Sequence, residues 1–253
     1  MTWSALALSV GMAVAAGLIG SFAVMRRMSL ASDAMSHVAL PGIGIALALH
    51  VHPLLGGFAA LAVGTTLIWG LERRTRISTE TVIGVVFSVA LAAGTMLTTG
   101  EELVDALLGS PGELEVTEVV LGLAGAAAVA AFVLTQRHRL VIAQVSTDLA
   151  RTAGIRASRL ELLFLLAFSL TIALGLRYLG VLLMGSLIII PAATAKVVAR
   201  GLNAMLSVAV GAAVASTLIG EVLAARLGRP TGPLIICVAA VLFFGGLVYR
   251  RSR

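Results

Sequence analysis

Nine apolar runs, at roughly residues 3–25, 34–49, 53–71, 81–99, 117–135, 160–176, 179–199, 202–225 and 232–249, take up most of this 253-residue chain. A run of about 20 apolar residues crosses ~30 Å of hydrocarbon as a helix. No segment has the alternating ten-residue pattern of a membrane barrel strand. Hydrophobic residues are 59% of the chain and charged residues 12%, with a mean hydropathy of +1.07, which excludes a soluble domain. The sequence predicts an all-α integral membrane protein: a polytopic bundle of about eight or nine transmembrane helices, one domain over residues 1–253. The second run is short and its following turn is tight, so one broken or re-entrant segment is compatible with the pattern. The first run is too long for a signal-peptide core and has no basic region ahead of it, and it reads as a span that stays.

Charge placement gives the orientation. With the N-terminus outside, only Arg177, Arg226 and Arg229 of the 18 basic residues fall in outer loops, so N-out and C-in is predicted. The net charge of +6 therefore belongs to inner loops, and no basic groove for nucleic acid is implied. The same orientation puts Glu101, Glu102, Asp105, Glu113, Glu115 and Glu118 outside, as an acidic mouth that concentrates cations or simply as a solvated loop. The single cysteine, Cys237, excludes an internal disulfide and is expected to pack in the core.

Ionisable side chains inside apolar spans are costly and need a reason. In Ser32 to Gly42, SDAMSHVALPG, Asp33 and His37 are four apart and share one helical face. Carboxylate and imidazole together suit zinc or manganese, and an incomplete ligand set suits an ion in transit. The competing reading pairs Asp33 with Arg26 or Arg27 and His37 with a backbone carbonyl. Glu80 is a further candidate ligand, with Glu221 next. His50 and His52, before Pro53, are outer-mouth metal candidates or ordinary interfacial residues. Pro41 and Gly42 break the helix beside the pair, and Pro191, followed by small residues, marks a kinked and closely packed helix. Glycines such as Gly20 and Gly185 read as packing positions.

Residues 140–159 read as an amphipathic inner segment stopped at Gly154, fit to dock on a cytoplasmic partner or to lie among lipid head groups. No glycine loop ending in GK[ST] and no nucleophile triad is present in the sequence, so neither nucleotide hydrolysis nor other catalysis is expected of it.

Several motifs, in order along the chain, resemble one family. RRMSLASDAMSHVALPGIGIA, ETVIGVVFSVALAAG, STDLARTAGI, GVLLMGSLIIIPAATAK and RPTGPLIICVAAVLFF are similar to the segments of permease subunits from bacterial zinc and manganese ABC importers. The family often has glycine in place of Ser32 and aspartate in place of Glu80.

The resemblance implies a type II importer-like permease in the bacterial cytoplasmic membrane. Two copies would form the path, with cytoplasmic ABC ATPase subunits and an extracytoplasmic metal-binding protein as partners. Asp33 and His37 fall on its ion-contact positions. Ser146, Asp148, Leu149, Ala150, Gly154 and Arg156 fall on its ATPase-coupling segment. No permanently bound cofactor is implied, only a transported divalent ion, with zinc preferred and manganese next. The alternatives are a permease for a metal chelate or cobalamin-like compound, and a membrane scaffold or receptor.

Overall fold

The computed structural model describes residues 3–51, 53–75, 77–97, 116–179 and 181–251. His52 and the acidic stretch from Glu101 to Glu115 lie outside them. Among the described residues the chain is helical without strands: α1 (Trp3–Met25), α2 (Ser29–Val38), α3 (Leu40–Ala48), α4 (Pro53–Arg74), α5 (Thr79–Leu97), α6 (Val116–Val145), α7 (Thr147–Thr152), α8 (Ala157–Leu179), α9 (Val181–Val198), α10 (Leu202–Leu227) and α11 (Thr231–Arg251). Seven of these are long and apolar enough to span a membrane, and α9 contains a shorter apolar helix, roughly consistent with the expected eight or nine.

The bundle is built around α1. In its most apolar window 72% of residues are buried, against 17% for α11 at the periphery. Its small residues explain this, because they let neighbouring backbones approach. A Cβ on Gly20 would lie 2.0 Å from the carbonyl oxygen of Ile188 on α9, so no larger residue fits that crossing. Around α1 pack α6, α9 and α10, while α11 covers α9 and α10. A second group joins α3 to α4 and α4 to α8, and α2 bridges the two groups by lying between α9 and α5.

The run expected at 34–49 is two short helices meeting at Ala39. Pro41 opens α3 and has no N–H to give to the carbonyl of His37, so the ladder fails there. The expected end of the fifth run at 135 is also corrected, because α6 is 30 residues long, or about 45 Å. Gln136 to Val145 contain no Pro or Gly, and Leu140 is fully buried, so helix propensity carries on after hydropathy falls. The amphipathic segment expected over 140–159 is therefore the tail of α6, the six-residue α7 and the turn into α8. Cys237 faces outward on α11, not into the core.

Long-range contacts gather the basic helix ends at one end of the bundle. Arg26, just past α1, pairs with Glu161 near the start of α8. Lys196 near the end of α9 donates to the carbonyl of Val24 (3.5 Å), and Trp69 near the end of α4 donates from Nε1 to the carbonyl of Ser158 (3.1 Å).

Candidate functional site

The helix α2 has two unlike faces. Ala31, Met35 and Val38 are buried, whereas Asp33 is exposed and His37 half-buried. Buried side chains at i, i+4 and i+7 pin one face to the bundle, which turns the Asp33–His37 stripe away from it. Two hydroxyls secure the seat: Ser32 donates to the carbonyl of Gly185 on α9 (3.4 Å), and Ser36 to that of Ser32 (2.8 Å). On its other side α2 meets α5, where the His37 ring lies against Phe87 with centroids 5.4 Å apart and planes tilted by 58°. The Nδ1 of His37 is buried there without a hydrogen-bond partner. A buried polar atom left unpaired is costly unless a ligand or donor arrives.

Arg26 does not serve Asp33. Its Nη1 is 3.4 Å from Oε1 of Glu161, and its guanidinium lies 4.5 Å from the centre of the Phe164 ring. Burial pushes the pKa of this arginine down, and the carboxylates of Glu161 and Glu72 push it back up. Sequence reasoning missed this pair because 135 residues separate its members.

Glu80 sits apart from the contact of His37 with Phe87. It is exposed in the first turn of α5, seven residues and about 10 Å along the helix from Phe87. There it lines a cavity of about 440 Å³ with Arg26, Arg27 and Glu161, two carboxylates among two guanidinium groups. Glu221 is buried on α10, with its Oε2 left without a hydrogen-bond partner. His50 is exposed in the turn after α3, with a φ of 54°. Among the described residues no three His, Cys, Asp or Glu side chains converge.

At the basic end, Ser146 caps α7 by accepting the N–H of Leu149 (3.3 Å). Asp148 in the first turn and Arg151 in the last both complement the helix dipole. Ala150 is fully buried, Leu149 is 53% exposed, and Asp148 and Arg156 are exposed. Gly154 ends the turn at φ +69°, a conformation that favours glycine, and the N–H of Ile155 closes on the carbonyl of Ala150 (2.8 Å). Pro191 is buried within α9, which continues through it.

The description ABC 3 transport family matches residues 1–250. The chain belongs to the ABC 3 transport family. This permease is 29% identical over 242 residues to the "High-affinity zinc uptake system membrane protein ZnuB" of Haemophilus influenzae, covering 93% of this chain and 92% of that one. It is 27% identical over 245 residues to the "Manganese transport system membrane protein MntC" of Listeria monocytogenes, covering 95% of this chain and 87% of that one. Its fold is that of "PsaBC from Streptococcus pneumoniae in complex with Fab", with a TM-score of 0.83 and 24% identity over 96% of this chain and 89% of that one. The chain is thus the membrane permease of a metal-type ABC transporter, a multi-pass transport subunit.

Proposed function

We propose that this permease carries a divalent transition-metal ion, zinc in preference to manganese, into the cytoplasm. Two copies form the path, and Asp33 and His37 from each are the ion contacts. The observation that carries this is an exposed carboxylate four residues before a half-buried imidazole, on a short helix packed against the apolar helix α5. Lipid against Asp33 would be unfavourable by a few kcal/mol, so that face calls for water or protein. A second copy supplies both the cover and the missing ligands, making up to two carboxylates and two imidazoles.

The outer face of α5 supports the contact. Thr81, Val85, Ser88, Ala92 and Thr95 are all exposed and follow one another at the four-three spacing of a helix-packing seam. Small and hydroxyl-bearing residues suit close helix pairing within lipid. The seam adjoins the pair, since Phe87 of the same helix touches His37.

ATP hydrolysis belongs to a separate ATPase pair that presses on α7, and a binding protein delivers the ion from outside. The gathering of basic helix ends at one end of the bundle supports an N-out and C-in placement in the inner membrane. Driving the gates asks only that the ion and nucleotide favour different conformations by a few kcal/mol. Uptake of radiolabelled zinc into proteoliposomes containing the permease and its ATPase, with unlabelled zinc or manganese as competitor, tests the reading. Zinc should compete better. Uptake that ignores both ions and responds to a chelate would reject it.

A further inference from the structure

Two recesses beside α6 and α8 adjoin through shared lining residues. The first, of about 370 Å³, is lined at the basic end of the bundle by Gln136, Arg139 and Arg156, with Leu160 beneath. The second, of about 330 Å³, is apolar and runs on among Phe58, Ala128 and Leu166. Phe132 and Leu163 line both, so the two form one groove with a cationic head and an apolar tail. None of the described residues lining it is acidic. Arg139 is held in place by donating from Nη1 to Oε1 of Gln136 (3.3 Å).

The groove has the length of one leaflet. From Ala128 to Arg139 is 11 residues along α6, or about 16 Å, close to the depth of one leaflet in a ~30 Å hydrocarbon core. Leu163, at the junction, is 50% exposed, so the groove opens sideways to the bilayer. Guanidinium groups bind phosphate oxygens through paired N–H donors, and arginines at the membrane surface attract anionic lipid. We propose that this groove holds one anionic phospholipid of the leaflet on the arginine-rich side, its phosphodiester between Arg139 and Arg156 and one acyl chain along Phe132 and Leu163. Because Gly154 and Arg156 belong to the turn between α7 and α8, the lipid braces that turn against α6. The inference rests on membrane placement and not on which metal is carried.

Native mass spectrometry of the detergent-purified, full-length permease titrated with phosphatidylglycerol or phosphatidylcholine tests it. The wild-type chain should retain one phosphatidylglycerol per protomer and prefer it to phosphatidylcholine. R139Q/R156Q should weaken that binding by about tenfold or more. Leu163→Trp keeps every charge but fills the apolar recess, and it should weaken binding too. R137Q/R159Q, arginines of the same end outside the groove, should leave it intact, and millimolar inorganic phosphate should not displace the lipid. Retention by either groove variant in folded protein, shown by its thermal unfolding, would overturn the proposal. So would equal loss in R137Q/R159Q, which indicates diffuse charge, or displacement by phosphate, which indicates a free-anion site. Equal retention of phosphatidylcholine would overturn it as well.

Discussion

Asp33 rests on Gly185: a Cβ at position 185 would stand 3.1 Å from the Cα of Asp33 and 3.2 Å from its amide nitrogen. The absence of a side chain on α9 thereby sets how deeply α2 seats, and with it where the carboxylate and imidazole point. Gly185→Ala forces a shift of a few tenths of an ångström and should reduce metal uptake partly. Gly185→Leu overpacks the crossing at about 1–3 kcal/mol and should abolish uptake with the protein still in the membrane. Undiminished uptake by the leucine variant would mean that the seat of α2 on α9 does not govern transport.

Gly42 and Gly56 make the crossing of α3 with α4. A Cβ on Gly42 would fall 2.1 Å from the carbonyl oxygen of Gly56, a backbone atom that cannot swing aside, whereas nothing lies within 4 Å of a Cβ on Gly70. Gly42→Ala should destabilise the permease by about 1–3 kcal/mol. Gly70→Ala, in the helix interior, should be neutral or stabilising by up to about 1 kcal/mol. Thermal unfolding in detergent separates the two.

What the sequence told and withheld follows from the range of each interaction. Asp33 and His37 on one face, and the break at Pro41, depend on neighbours within one or two turns and were legible. That Gly185 packs was legible from its size, but its partner 152 residues earlier was not. The same distance hides the pairing of Arg26 with Glu161, so Arg26 read equally well as a partner for Asp33. The tail of α6 was hidden because hydropathy drops at Gln136 while the residues still favour helix. Cys237 was misjudged for a different reason: a helix apolar all round gives no sign of which face meets lipid.

Leu149 is the exposed apolar residue of α7 and Ala150 its fully buried neighbour. Leu149→Asp should leave folding intact and sharply reduce co-purification of the permease with its ATPase. Ala150→Asp should instead lower stability, since it places a charge in a closed site. Full ATPase recovery with the Leu149 variant would remove α7 from the coupling contact.

Ser88 lies at the middle of the proposed seam on α5. In a Cys237→Ser background, Ser88→Cys should give cross-linked dimers in membranes. Val63→Cys, also exposed but on α4 and not on the seam, should not. Cross-linking through Val63 and not Ser88 would move the dimer contact to α4.

Radiolabelled zinc uptake by proteoliposomes carrying the complete transporter, compared among wild type, Asp33→Ala and His37→Ala, bears most directly on the ion contacts. Each variant should assemble with its ATPase at wild-type levels and lose uptake by at least about tenfold. Wild-type uptake in both variants would contradict the assignment of Asp33 and His37 to the path.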